Sequence, residues 1–145
     1  AFSDIFDLVR KVTKQIFYEP RIDSFGQKAW DKHFFGGARK EACLGFPSVV
    51  NAYEKLKQYP LHNSDLYREI LLDIITQTDD TVFLKRAKSY KRYQEIQSII
   101  RQNRYDDDAH KILTEMFIKE NISFGGSADL LIAAIFCSNI RDYFE

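Results

Sequence analysis

Apolar residues recur at steps of three and four along most of the chain, which is the spacing of an amphipathic α-helix. In the first such stretch, residues 2–17, the apolar positions include Ile5, Phe6, Val9 and Val12. Further helices are predicted over residues 24–35, 48–58, 64–78 and 82–102, from residue 106 onwards, and from a Gly-Gly-Ser turn to the C-terminus. No stretch alternates as a β-strand does. The sequence therefore predicts an all-α fold, a compact multi-helix bundle of about six or seven helices in a single domain over residues 1–145.

Composition narrows the class of protein only modestly. The 145 residues carry no net charge, so nothing attracts the chain in bulk to nucleic acid or to an acidic membrane surface. The basic residues between positions 82 and 102 have acidic neighbours, which favours a solvated face over a nucleic-acid-binding one. No apolar run is long enough to cross a bilayer, and Cys43 and Cys137 are expected to be buried free thiols. We therefore expect a cytoplasmic protein with no nucleic-acid and no membrane partner.

The stretch N-I-S-F-G-G-S-A-D-L-L, residues 121–131, is a candidate anion site. Gly125 and Gly126 give the backbone freedom directly before a long apolar helix, and Ser127 is a suitable N-cap with Asp129 in the first turn. A helix that begins in this way directs free N–H groups at a phosphate. The alternative is a plain capped turn between two helices.

Two further stretches carry candidate chemistry. In G-A-R-K-E-A-C-L-G-F-P, residues 37–47, Arg39 and Glu41 are expected on a loop, where they could converge on one ligand. Arginine would bind phosphate and glutamate would bind a metal or act as a base, although a solvent-facing pair is the alternative. Asp79 and Asp80 lie at a predicted helix junction, where two carboxylates could bind Mg²⁺ or could cap the next helix instead.

Taken together, these stretches resemble one protein family. G-A-R-K-E-A-C-L-G-F-P is similar to a G-A-R-G-E-A-x-x-G-F-P motif, D-D-T-V-F-L-K-R to a D-T-N-x-x-x-R segment, and N-I-S-F-G-G-S-A-D-L-L to N-x-S-P-G-G-S-A-D-L-L. These motifs, in this order, are those of the triphosphoribosyl-dephospho-coenzyme A synthases, which serve citrate lyase and malonate decarboxylase. The third motif is the most specific of the three.

The resemblance implies a transferase that joins ATP to 3′-dephospho-coenzyme A and releases adenine. The product, 2′-(5″-triphosphoribosyl)-3′-dephospho-coenzyme A, is the precursor of the citrate lyase prosthetic group. The expected substrate-binding residues are Arg39, Arg86, Ser123, Gly125, Gly126 and Ser127. From side-chain chemistry at the motif positions, the two arginines and the Gly125–Ser127 helix start could hold phosphates. The expected catalytic residues are Glu41, Asp80 and Asp129, and the expected ligands of Mg²⁺, directly or through water, are Asp79, Asp80 and Asp129. The alternative is a non-catalytic or diverged helical module that binds a nucleotide or a partner chain.

The resemblance covers the C-terminal half of the family protein, from about Ser24 onwards. The K-P-G-L-V-D-like and N-T-H-K-G-like motifs of the other half do not occur in this sequence. We therefore expect the N-terminal half of the same protein, or a homo-oligomer partner, to cover apolar surface. The chain also departs from the family pattern at Phe25, Lys40, Val82, Ala87, Lys88 and Phe124.

Overall fold

The computed structural model describes residues 2–17 and 24–143, and these residues form α-helices without any β-strand. The predicted all-α class is therefore confirmed. Within the described ranges the helices are α1 (Phe2–Phe17), α2 (Phe25–His33), α3 (Gly37–Leu44), α4 (Pro47–Lys57), α5 (Ser64–Gln77), α6 (Thr81–Ala87), α7 (Tyr90–Gln102), α8 (Asp107–Lys119) and α9 (Gly125–Asn139), followed by a short 3₁₀ turn (Arg141–Tyr143). The predicted count of six or seven helices is too low, for two local reasons.

First, residues 37–44 form helix α3 and not the predicted loop. The helix begins at Gly37, which has a φ of 55°, and ends at Gly45, which has a φ of 80°. Both values lie in the left-handed region that glycine adopts without a steric penalty. The glycines that suggested an irregular segment therefore mark the two ends of a short helix, and Arg39 and Glu41 lie within it.

Second, the single helix predicted over residues 82–102 is interrupted. Helix α6 ends at Ala87 because Lys88 takes a left-handed conformation with a φ of 63°. The side chain of Ser89 then accepts the N–H of Arg92 at 3.1 Å and caps α7. The apolar spacing continues through the break, and lysine is uncommon in a left-handed conformation, so neither signal indicated that the helix ends here. Similarly, α2 ends before Gly36 and Gly37, because Phe34 takes a left-handed φ of 53°.

Two apolar clusters share helix α5 and hold the bundle together. One joins α5, α6 and α7 around Ile75, Phe83 and Ile96, and the other joins α4, α5 and α9 around Leu56, Ile70 and Ala134. Burying a side chain of this size stabilises the fold by roughly 1.5–3 kcal/mol. Helices α6 and α9 also contact each other directly, so the segment before α6 lies against the start of α9.

The described helices include none that is long and apolar enough to cross a membrane.

Candidate functional site

Asp80 connects the beginnings of two helices. Its side chain is 1% exposed, and its Oδ1 accepts the N–H of Phe83 at 2.9 Å, which caps α6. Its Oδ2 accepts both the backbone N–H and the hydroxyl of Ser127, each at 2.8 Å, at the beginning of α9. The positive ends of two helix dipoles therefore face one buried carboxylate. These hydrogen bonds hold the beginning of α9 against Asp80, although Ser127 lies 47 residues further along the chain.

The glycine-rich start of α9 differs from its prediction in one respect. The helix begins at Gly125 with Phe124 in the N-cap position, so Ser127 lies inside the first turn and is not the N-cap. The hydroxyl of Ser127 is fully buried and is used to bind Asp80. A Cβ atom on Gly126 would lie 3.0 Å from Asp80 Oδ1, which explains why this position has no side chain. The anion at this helix start is thus the carboxylate of Asp80, and phosphate binding by Gly125 and Gly126 stays a prediction.

Asp79 holds the beginning of α3 against the same junction. Its Oδ2 accepts the backbone N–H of Gly36 and the ammonium of Lys40, each at 3.0 Å. A Cβ atom on Gly37 would lie only 2.8 Å from Thr81 Cγ2, so the two segments approach closely. Lys40, which stands where the family motif has glycine, is the basic partner of Asp79.

Glu41 caps a fourth helix. It is 8% exposed, and its carboxylate accepts the N–H of Ser48 at 3.2 Å and the hydroxyl of Ser48 at 2.9 Å. Ser48 lies in the first turn of α4, directly after Pro47. The carboxylates of Glu41, Asp79 and Asp80 therefore each accept the N–H of a residue at or beside a helix start. We name these three residues, with Ser127, the capping junction.

The remaining predicted residues are not gathered at one point. Asp129 is exposed on α9, Ser123 is half-buried before it, and Arg86 is exposed on α6. Arg39 is half-buried and donates to Gln27 Oε1 at 3.4 Å. Among residues 2–17 and 24–143, no group of three or more His, Cys, Asp or Glu side chains is arranged to hold a metal ion. Binding of Mg²⁺ by Asp79, Asp80 and Asp129 stays a prediction.

Burial next to the capping junction changes the pKa of one ionisable group, the hydroxyl of Tyr93. The Tyr93 hydroxyl donates to the carbonyl oxygen of Thr78 at 3.0 Å, in a closed environment beside Phe83. Burial raises the pKa of this hydroxyl above its usual value, and the negative charges of Asp79 and Asp80 act in the same direction. Tyr93 is therefore a neutral hydrogen-bond donor at physiological pH and supports the segment that precedes α6.

A basic cleft opens beside the junction, between the beginning of α2 and helix α6. It has a volume of about 690 Å³, and its charged lining residues are the cations Lys85, Arg86 and Lys88 and one carboxylate, Glu120, which pairs with Arg92 at 2.8 Å. None of the three cations forms an ion pair with a carboxylate in the described parts of the chain. The N-terminus of α2, capped by Ser24, adds partial positive charge. We call this region the basic cleft.

Arg39 lines a smaller cavity of about 140 Å³, which shares Gly26 and Thr81 with the basic cleft. The two predicted phosphate-binding arginines, Arg39 and Arg86, thus line neighbouring cavities. Lys85 and Lys88 were not predicted as site residues. The sequence signal that could have identified them is the run of three cations within four residues at the end of a helix whose cap is Asp80.

Comparison with known proteins identifies the family. The profile described as CitG: ATP:dephospho-CoA triphosphoribosyl transferase matches residues 6–145. Protein CitXG of Leuconostoc mesenteroides subsp. cremoris is 32% identical over 124 residues, which cover 79% of this chain and 27% of that protein. The probable 2-(5″-triphosphoribosyl)-3′-dephosphocoenzyme-A synthase of Pseudomonas fluorescens (strain Pf0-1) is 34% identical over 140 residues, which cover 86% of this chain and 47% of that protein.

No solved structure matches the chain significantly. The chain spans about a quarter and about half, respectively, of the lengths of the two relatives. The family match, in contrast, extends over almost the whole sequence and includes the capping junction and the basic cleft. The chain therefore belongs to the ATP:dephospho-CoA triphosphoribosyl transferase family.

Proposed function

We propose that this chain binds ATP for a transferase reaction. The reaction joins the triphosphoribosyl group of ATP to 3′-dephospho-coenzyme A and releases adenine. The product would be 2′-(5″-triphosphoribosyl)-3′-dephospho-coenzyme A, the precursor of the citrate lyase prosthetic group. The observation that carries the proposal is the basic cleft, where three unpaired cations lie together in a chain without net charge. Such a concentration of positive charge suits a triphosphate.

In this reaction the glycosidic bond between C1″ of the ATP ribose and adenine breaks. A ribose hydroxyl of 3′-dephospho-coenzyme A forms the new bond to C1″, and its proton passes to a base or to the departing adenine. The protein must hold the triphosphate, stabilise positive charge at C1″ and keep the hydroxyl in place. We assign the triphosphate to Lys85, Arg86 and Lys88, which line the basic cleft. Mg²⁺ would accompany the triphosphate as its counter-ion.

The carboxylates receive different parts in this proposal. Glu41 and Asp80 are buried and already accept hydrogen bonds, so we assign them to positioning helix starts: Glu41 that of α4, and Asp80 those of α9 and of α6, which lines the cleft. Asp129 is exposed on the first turns of α9 and is free to approach a solvated metal or substrate. Direct catalysis by Glu41, Asp80 or Asp129 stays a prediction.

The proposal is tested by adenine release from ATP and 3′-dephospho-coenzyme A in the presence of Mg²⁺, followed by chromatography and mass detection of the coupled product. Arg86→Gln removes one cation from the basic cleft and should raise the KM for ATP about ten-fold, the effect of one charge-assisted contact. Lys91→Gln is the matched control, because Lys91 is an exposed cation of α7 outside the cleft. Equal kinetics for the two variants, or a folded chain that fails to bind ATP, would contradict the proposal.

The exposed face of α1 supports a partner for this chain. Ile5, Leu8 and Val12 lie on one side of the helix and are 44%, 61% and 57% exposed. Because the chain covers only 47% of the Pseudomonas relative, we propose that the uncovered portion of the family protein packs on this stripe. Leu8→Glu should abolish association with that portion in sedimentation experiments, whereas Lys11→Glu should not.

The free cysteines suit a reducing compartment, and we propose the cytoplasm.

A further inference from the structure

A second groove adjoins the basic cleft along helix α2. Its volume is about 340 Å³, and it lies between α2 and the junction of α6 with α7. Phe25, Lys85 and Lys88 line both the groove and the basic cleft. A ligand in the groove would therefore lie next to a ligand in the cleft, with two lysines between them. We call this region the α2 groove.

The α2 groove is lined by positive charge alone. Its charged lining residues are Lys28, Lys32, Lys85 and Lys88, and no Asp or Glu side chain lines it. Lys32, Lys85 and Lys88 form no ion pair in the described residues. Cations elsewhere on the described surface commonly have such partners, as Arg68 has Asp107 at 2.9 Å. Three cations without such a partner, close together on one surface, favour an anionic ligand.

An aromatic pair forms another part of the groove lining. The rings of His33 and Tyr90 are stacked with centroids 4.4 Å apart and planes within 11° of each other. Tyr90 is in turn nearly parallel to Tyr93, at 9° and 6.1 Å. Packing on both sides thus restrains the Tyr90 ring. A flat, restrained aromatic surface beside lysines is the combination that binds a nucleobase together with its phosphates.

We propose that the α2 groove is the binding site for an adenosine 5′-diphosphate moiety. Lys28 and Lys32 bind the diphosphate, and the outer face of the His33 ring, with Tyr90 stacked behind it, packs against the adenine. The inference rests on the proposed function, because that reaction needs two nucleotides side by side. The acceptor, 3′-dephospho-coenzyme A, carries the diphosphate, whereas the ATP triphosphate fits the larger cleft with Arg86. Lys85 and Lys88 then lie between the two polyphosphates and reduce their mutual repulsion.

Separate binding measurements test this assignment. Isothermal titration calorimetry would use the 145-residue chain with 3′-dephospho-coenzyme A, ADP, inorganic pyrophosphate and a non-hydrolysable ATP analogue, all with Mg²⁺. Lys32→Gln alters the α2 groove only and should lower the affinity for 3′-dephospho-coenzyme A and for ADP about five-fold, because solvent screening limits the effect of one exposed charge. The affinity for the ATP analogue should change less than about two-fold. Arg86→Gln alters the basic cleft only and should do the reverse. Lys91→Gln should change neither.

A further variant separates the aromatic part from the charged part. His33→Ala removes one ring of the stacked pair and should weaken ADP while leaving inorganic pyrophosphate unchanged. Pyrophosphate weakened as much as ADP would show that the adenine does not contact this pair and would overturn the site as proposed. Circular dichroism checks that each variant keeps its helix content.

The outcomes distinguish the inference from the proposed function. If Lys32→Gln leaves 3′-dephospho-coenzyme A and ADP unchanged while Arg86→Gln weakens the ATP analogue, the groove assignment is wrong and the proposed function stands. If Lys32→Gln weakens ADP and 3′-dephospho-coenzyme A but the chain and its uncovered family portion release no adenine, the groove stands and the proposed function falls. Wild-type protein that binds none of the four ligands would overturn both.

Discussion

Removing the Asp80 carboxylate should destabilise two helix starts at once. Asp80→Ala deletes the acceptor for Phe83 at α6 and for both donors of Ser127 at α9. Loss of an N-cap costs about 1 kcal/mol, and each buried donor left without an acceptor costs about 1–3 kcal/mol. We therefore expect the free energy of unfolding to fall by about 3–7 kcal/mol, a large part of the total for a domain of this size.

The matched control is Asp106→Ala. Asp106 caps α8 alone, accepting the N–H groups of Asp108 and Ala109 at an exposed site, so its loss should cost only about 1 kcal/mol. Urea unfolding followed by circular dichroism at 222 nm measures both variants, and similar m-values would show that the comparison is valid. A cost for Asp80→Ala no larger than that for Asp106→Ala would refute the reasoning from the capping junction.

Two further variants test the mechanism of this stabilisation. Asp80→Asn keeps the size but replaces one acceptor oxygen by a donor, which would face either Phe83 N–H or the donors of Ser127. We expect it to retain at most about half of the stabilisation. In a double-mutant cycle, Asp80→Ala and Ser127→Ala should couple by about 1–2 kcal/mol because the side chains are in contact. Additive effects would mean that the hydroxyl bond contributes little.

Three other changes have defined expectations. Lys88→Gly should stabilise the chain by about 0.5–1 kcal/mol in urea unfolding, because glycine accepts the left-handed φ of 63° without strain. Gly37→Ala should destabilise it by about 2 kcal/mol by the same assay, because the left-handed φ of 55° is unfavourable for alanine and the added Cβ meets Thr81 at 2.8 Å. Burial raises the pKa of the Cys137 thiol, so a disulfide reagent at pH 8 should modify half-buried Cys43 first, and equal rates in the folded protein would contradict this.

Local signals predicted individual helices well where their caps are ordinary. Helix α5 begins at Ser64 with the side chain of Asn63 accepting the N–H of Leu66, and Pro47 occupies the first turn of α4. Both features follow from the preference of Asn for N-caps and of Pro for the first helical position. The break at Lys88 could not be predicted in this way, because a lysine with positive φ has no local signature.

The arrangement of the candidate site depends on contacts between distant segments. Helical periodicity could not show that Asp80 binds Ser127, since the pair is separated by 47 residues. The family resemblance marked Glu41, Asp80 and Ser127 as special but gave no account of how they act. The structure supplies that account for the fold, because each takes part in hydrogen bonds at a helix start. The cations of the basic cleft were less visible, since a neutral chain gives no overall sign of a local concentration of charge.

The departures from the family pattern fall into two groups in the structure. Ala87, Phe124 and Lys40 belong to the framework: Ala87 is buried in an apolar cluster, the Phe124 ring packs on Phe83 at 4.7 Å, and Lys40 pairs with Asp79. Phe25, Val82 and Lys88 instead line the basic cleft.

Lys40 and Phe124 each contact a neighbouring residue of the framework, so these departures do not disturb the capping junction. The cleft residues have no such constraint: Phe25, Val82 and Lys88 are exposed, and they change the shape and charge of the surface that would face a nucleotide. Replacing a motif glycine by Lys88 adds a cation where the basic cleft meets the α2 groove, at the expense of a left-handed backbone. A strained residue that adds charge where two proposed nucleotide sites meet is better explained by binding than by folding. Divergence within this chain should therefore alter nucleotide affinity while the helical framework stays intact.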